Sequence, residues 1–433
     1  MPFRNRRTVL ALATAAAATL LVAGCGNNGG DTGDAAGSSG GGSVVQLSML
    51  TGFTGPDKPG YDALVAEFNS THPTIKVTMT VEPWAAIGQK LPASWATGQG
   101  PDLATPSSDP GAIFNYIKTN SAMALDSAVG TGTDKINSSA FPASVKSAFT
   151  VDNKLYAVPA NLATLVLYYN KDLFKKAGIT AAPTTEDQLV ADAKRLTGGS
   201  GDQPSQYGLS LADNATIQMW PILQWMSGGD IIGTNNCSDI NSSASVAALM
   251  KWSQLVSQDH ISPIGQSGAD ADTLFSSKKA AMEINGPWAA AGYQKAGINL
   301  GIAEVPVGSA GPTTLASTVP LMIERTTKHA AEAQTFLSWY TGKTAQTKFS
   351  TLSGFPPSRT DLGAAVASNA TVAIFAKALP YARLYLAGQP NATKIDSDVY
   401  VPFIQKIERG ADVQSAANDA AKAINALTTC KSG

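Results

Sequence analysis

Few groups in this 433-residue chain have the type and spacing that covalent chemistry needs. The three histidines, His72, His260 and His329, stand far apart and none falls in H-E-x-x-H or a similar ligand spacing. No metal site and no cofactor is therefore expected. Beyond the glycine-rich stretch that ends at Ser43 there is no G-x-S-x-G elbow, no G-x-x-x-x-G-K-[ST] loop and no G-x-G-x-x-G turn. Ser276-Ser277-Lys278-Lys279 fits the S-x-x-K acylation pattern, but neither S-D-N nor K-T-G accompanies it, so it reads as a polar helix segment. Any two of the 32 acidic residues could pair for glycoside hydrolysis, which leaves a surface hydrolase open without positive evidence for one.

Cys25 carries chemistry of another kind. Arg4, Arg6 and Arg7 precede an apolar stretch from Val9 to Val22, about 14 residues and short of the roughly 20 that span a bilayer. Such a stretch reads as an export signal. It ends in Leu21-Val22-Ala23-Gly24-Cys25, which resembles a bacterial lipobox, where cleavage before the cysteine is paired with lipidation of its thiol. Arg6-Arg7 matches a twin-arginine signal only in part, and both export routes stay open. Gly26–Ser43 follows, 18 residues with eight glycines and no large apolar side chain. As a flexible coil it spans roughly 20–25 Å, the reach of a tether between anchor and body. The expectation is an exported protein, lipid-anchored on the outer face of the cell membrane.

Composition fits a large, near-neutral globular body. Net charge is −1, hydrophobic residues make up 44% and charged residues 15%. Without residues 1–24 the chain keeps 28 basic against 32 acidic residues, a net of −4. No basic run is present, so nucleic acid is not an expected partner. The remaining cysteines, Cys237 and Cys430, would more often pair than stay free in an oxidising compartment.

Strand and helix signals alternate along the body. Val44–Leu50 fits a buried strand, and Tyr61, Leu64, Val65 and Phe68 recur at helical spacing. His72-Pro73 ends that helix before Ile75, Val77, Met79 and Val81 alternate as a strand. Asp102–Ala104, Leu155–Pro159 and Leu165–Tyr169 are further strands, and helices are expected at 186–196, 245–258, 330–340 and 414–427. The alternation points to an α/β architecture with largely parallel sheets.

Four stretches together resemble the extracellular solute-binding proteins of ABC sugar importers, the family of maltose-binding protein. They are Gly98-Gln99-Gly100-Pro101-Asp102-Leu103, then Leu167-Tyr168-Tyr169-Asn170-Lys171-Asp172-Leu173-Phe174, then Ala280-Ala281-Met282-Glu283-Ile284-Asn285-Gly286-Pro287-Trp288, and finally Gly354-Phe355-Pro356-Pro357-Ser358-Arg359. The resemblance implies a two-lobed α/β fold with interleaved chain crossovers and a ligand cleft between the lobes. Placed by these motifs, residues 1–24 are signal and 25–43 the lipidated cysteine and tether. An N-lobe takes 44–161 with 319–380, and a C-lobe takes 162–318 with 381–433, which would hold both late cysteines.

The resemblance also implies ligand contacts. A sugar asks for flat aromatics against its ring faces and planar polar groups for its hydroxyls. Trp288 matches the stacking tryptophan of the third motif, with a core tryptophan as the plainer alternative. Asp109 stands where the family often has a hydroxyl-binding carboxylate, and equally where a helix cap would precede Pro110-Gly111. Trp84, Phe53 and Thr54 are further candidates, as are Asn161 and Thr164 at the first crossover. Ala163 replaces the family's maltose carboxylate there, which argues against maltose itself. Trp220 and Trp225 flank Pro221 as cleft or core, and Tyr400 and Arg359 complete the set.

The expected function is capture of a mono- or oligosaccharide by a monomeric, non-enzymatic lipoprotein and its delivery to an ABC permease. The alternative within the class is a glycerol-phosphate or glycerophosphodiester ligand, for which Arg359 and helix N-termini are the visible anion-binding groups. A cell-surface adhesion protein is the remaining reading.

Overall fold

The computed structural model describes residues 43–55, 57–107, 110–199 and 203–430. The expected signal segment, Cys25, the tether as far as residue 42, and Asp109 lie outside these residues.

The first lobe is built on a five-stranded sheet in the order Ile75–Val81, Val45–Thr51, Leu103–Ala104, Pro320–Ile323, Val158–Pro159. Val45–Thr51 runs parallel to Ile75–Val81, with Val45 opposite Ile75 and Thr51 opposite Val81. Along it Leu47, Met49 and Thr51 are buried while Gln46 and Ser48 face solvent, the period of two that a half-covered strand requires. The helix Lys58–Thr71 closes over this face with Tyr61, Leu64 and Phe68. It stops at His72, because Pro73 disfavours a helical backbone in the residue before it.

The second lobe centres on Val166–Asn170, flanked by Met282–Asn285 and Leu300–Ala303, each antiparallel to it. Parallel pairing is thus confined to part of the structure, and the expectation of largely parallel sheets is corrected. Alternation along the chain fixes which segments are strands but not which become neighbours. Met282–Asn285 and Leu300–Ala303 are joined by the helix Pro287–Lys295 and run parallel to each other, yet the earlier strand Val166–Asn170 lies between them. In the first lobe the late strand Pro320–Ile323 enters antiparallel beside Leu103–Ala104.

A third sheet joins Ala163–Thr164, Thr314–Ser317 and Ala382–Leu384, with Thr314–Ser317 in the middle. Core membership changes at each of these strands. Ala163, Ala316 and Leu384 pack in the first lobe's core, and Leu165, Leu315 and Leu386 in the second's. Buried threonine hydroxyls fasten these crossings: Thr164 donates to the Phe375 carbonyl at 2.8 Å, Thr314 to Leu165 at 2.7 Å and Thr318 to Asn161 at 2.7 Å. Phe375, on the helix Ala370–Ala378 within the stretch assigned to the N-lobe, packs with Tyr168 of the second lobe. The disulfide Cys237–Cys430 ties a second-lobe loop to the end of the last helix, Val413–Leu427.

Candidate functional site

A cavity of about 190 Å³ opens where the crossover strand Thr314–Ser317 meets both lobes. Ser107 reaches it from the first lobe, and Thr216, Gln218, Tyr385 and Asp396 from the second. The loop holding Thr216 and Gln218 turns at Ala215, whose φ of 50° reverses the chain after the strand Ala212–Asn214. It runs directly into the helix Trp220–Met226, which Pro221 can open because a first-turn residue has no intrahelical use for its N–H. Gln218 is buried and its Oε1 has no hydrogen-bond partner, an arrangement that costs free energy unless something else supplies a donor.

Asp396 is presented by a π-helical turn, Ile395–Tyr400. Pro402, just beyond it, has no N–H to give to the carbonyl of residue 398, so the α-helical ladder cannot continue backward unchanged. The Tyr385 hydroxyl donates to Asp396 Oδ1 at 2.8 Å, fixing an aromatic ring and a carboxylate side by side. Among the described residues that line this cavity there is no Lys or Arg. The groups present are hydroxyls, one amide, one carboxylate and one aromatic ring. They suit a ligand that donates and accepts hydrogen bonds without net charge.

Trp288, the stacking candidate from the sequence, is not among the residues lining this cavity. Half-buried, it packs against residues of both main cores and of a third cluster around Tyr168 and Tyr293. Its ring lies across Gly286, where an added Cβ would sit 2.2 Å from ring carbons, so only glycine fits beneath it. From Trp288 a file of rings enters the first lobe: Phe355 at 6.2 Å, then Phe349 at 5.9 Å, Tyr61 at 4.7 Å and Phe53 at 3.7 Å. Trp84 ends the file, edge-on to Phe53 at 5.7 Å and lying over Gly52 as Trp288 lies over Gly286. Beside Tyr61, burial pushes the Asp57 carboxyl above its ordinary pKa, against the hydrogen bonds of its own backbone and Tyr61.

The residues singled out from the sequence divide into groups. Trp288, Phe53 and Trp84 share the aromatic file, whereas Thr54 is exposed on the adjoining loop. Asn161 is buried at the first crossover, donating to the Tyr61 hydroxyl at 3.0 Å and accepting from Val319 N at 3.1 Å. The Thr164 hydroxyl is committed to Phe375. Trp220 and Tyr400 are both 0% exposed inside the second core, and Trp225 donates its indole N–H to Asp230 at 2.9 Å. Arg359 forks onto Asp361 at 2.9 Å and donates to the Thr341 carbonyl, all within the first lobe's late segment. Sequence reasoning missed Ser107, Thr216, Gln218, Tyr385 and Asp396. The available signals were a polar loop entering Trp220-Pro221 and a proline two residues after Tyr400.

The architecture is thus one of two α/β lobes with a cavity at their crossing strands. Residues 54–347 match the model of the family described as bacterial extracellular solute-binding protein, and the chain belongs to that family. A maltooligosaccharide ABC transporter solute-binding lipoprotein of Streptococcus pneumoniae is 25% identical over 315 residues, covering 71% of this chain and 69% of that one. The GacH receptor of Streptomyces glaucescens, solved unliganded and with acarbose, superposes with a TM-score of 0.77 at 23% identity, covering 89% and 98% of the two chains. UgpB of Mycobacterium tuberculosis, solved with glycerophosphocholine, gives 0.75 at 19% identity over 89% and 98%.

Proposed function

We propose that this chain is the substrate-binding subunit of an ABC importer, capturing an uncharged mono- or oligosaccharide between its lobes and handing it to a membrane permease. The carrying observation is the cavity at the crossing strands, with its orphaned Gln218 amide oxygen, its Tyr385–Asp396 pair and no lining Lys or Arg. One sugar hydroxyl can donate to Gln218 and another to Asp396 while the ring carbons lie on an aromatic face. In this reading the N-lobe is 44–161 with 319–380 and the C-lobe 162–318 with 381–433, moving about the three-stranded crossover sheet. Signal cleavage and lipidation at Cys25 would hold a monomer at the outer face of the membrane. The work is capture and release, with no bond made or broken.

The glycerophosphodiester reading is favoured by one observation, the structural likeness to UgpB. Against it, Arg359, the cation expected to serve a phosphate, is 5% exposed and already paired with Asp361. A thermal-shift screen against sugars and glycerophosphodiesters separates the two. A true ligand at a hundredfold its Kd adds about 2.7 kcal/mol to stability. Shifts with phosphodiesters alone would overturn the sugar assignment. Trp288→Ala is expected to weaken the sugar hit by about 1–3 kcal/mol, as loss of an aromatic contact face does, measured by titration calorimetry.

A further inference from the structure

Beneath the Trp288 turn lies a buried polar cluster. Glu283, on the strand leading into the turn, is 0% exposed. Its Oε2 accepts from the Tyr293 hydroxyl at 2.6 Å and its Oε1 from Asn285 Nδ2 at 3.2 Å. Asn285 Nδ2 also lies 2.7 Å from Asp272 Oδ1 and 2.8 Å from the Tyr293 oxygen, which is itself 3.0 Å from Asp272 Oδ1. Two carboxyls thus share one amide and one phenol, with no ion pair to either among the described residues. Burial, reinforced by Asp272, lifts the Glu283 carboxyl well above the usual range.

The cluster's output is the Gly286 peptide. Asn285 Oδ1 accepts the Gly286 N–H at 2.8 Å, and the Tyr168 hydroxyl donates to the Gly286 carbonyl at 2.7 Å. Tyr168 stands edge-on to Tyr293 at 5.4 Å, so both clamps belong to one packed unit. The Gly286 backbone is the surface on which the Trp288 ring rests.

We propose that Tyr293, Asn285 and Tyr168 are positioning residues of the ligand site, holding the Gly286 peptide so that the Trp288 ring faces the opposite lobe. This rests on the reading that Trp288 touches the sugar. None of the three contacts ligand; they act through the indole. Their hydroxyls and amide are needed at that one place, whereas their rings serve general packing. Glu283, fully enclosed, is the acceptor that orients the Tyr293 hydroxyl.

The test uses the protein labelled with 5-fluorotryptophan and followed by fluorine NMR without ligand. Trp288→Phe assigns the Trp288 resonance among the seven tryptophans. Tyr293→Phe and, independently, Tyr168→Phe keep their rings and remove the hydroxyls. Each is expected to move or split the Trp288 resonance while those of Trp220 and Trp252 stay within a linewidth. Glu283→Gln, which keeps a carbonyl oxygen for the Tyr293 hydroxyl, should leave it in place. With the sugar giving the largest shift in the screen, Tyr293→Phe should weaken binding about tenfold in the wild type and not further in a Trp288→Ala background, the non-additivity expected of residues acting through one another. An unmoved Trp288 resonance in a folded Tyr→Phe variant overturns the proposal, as does an additive loss of affinity; the site reading then stands. If Trp288→Ala binds as tightly as wild type, the site reading itself falls, and the positioning role with it.

Discussion

Asp213 and Glu408 meet in the second lobe, both 0% exposed. Asp213 Oδ1 accepts from Asn214 at 2.5 Å and Gln405 at 3.4 Å, and Glu408 Oε2 from Gly265 N at 3.3 Å. The remaining oxygens, Asp213 Oδ2 and Glu408 Oε1, have no hydrogen-bond partner among the described residues, and a proton shared between the two carboxyls would supply one. Burial first, and Asp213 second, push the Glu408 carboxyl up to about 9. An acid whose folded pKa is raised favours the folded state fully below its unfolded value, near 4.5, and this advantage is lost as pH rises toward 9. Stability should therefore fall by about 1 kcal/mol per pH unit between pH 6 and 8 on this account. Glu408→Gln should flatten that part of the profile in melts followed by circular dichroism; a wild-type slope retained by the variant would sink the shared-proton assignment. The pair also shows what sequence leaves hidden. Trp288 stands out as a candidate because a nine-residue motif carries it, but nothing local distinguishes Asp213 or Gln218, whose side chains are buried, from any other polar residue.

At the scale of elements, periodicity made long segments legible. Ile75–Val81 alternates over its whole length and was bounded correctly, and the helices Glu186–Leu196 and Ala330–Tyr340 match the ranges set by their apolar spacing. Thr185 caps the first of these by accepting from Gln188 N, a local signal at its start. Two-residue strands such as Leu103–Ala104 and Val158–Pro159 are too short to show a period, and their partners come from distant parts of the chain. The same distance hid the antiparallel sheet of the second lobe. Cys237 and Cys430 are bonded across a separation of 193 residues, beside hydrogen bonds from Ser238 N to Asn425 at 2.7 Å and from Asn236 to Thr429 at 3.4 Å. A crosslink over so long a loop restricts the unfolded chain, so reduction or a Cys237→Ser, Cys430→Ser double variant should cost about 2–5 kcal/mol. Neither cysteine lines the cavity. Sugar affinity at 25 °C should accordingly stay within about twofold while the melt falls, since additivity holds for sites without shared partners. Equal melting with and without reductant would mean that the bond contributes nothing.

Across the whole molecule, the lobes touch through a ring contact as well as through the crossing strands. Trp288 belongs to the second lobe by its strand and helix, and Phe355 to the first lobe's core; their centroids lie 6.2 Å apart at 43°. An aromatic pair of this kind is worth about 0.5–1.5 kcal/mol beyond its area. If the contact exists only while the lobes are together, that energy favours the enclosed arrangement over an open one. Removing it lowers the fraction of binding-competent protein and raises the apparent Kd in proportion. Phe355→Leu keeps most of the apolar volume against Phe349 and deletes the ring. The expected outcome is a Kd about three- to tenfold weaker, expressed chiefly as faster sugar release in stopped-flow fluorescence. Small-angle scattering should then show the sugar-saturated variant as compact as saturated wild type, because excess sugar restores the population that the missing contact no longer favours. A release rate unchanged from wild type would mean that Trp288 and Phe355 stay together when the lobes part, and that the crossing strands alone govern the motion.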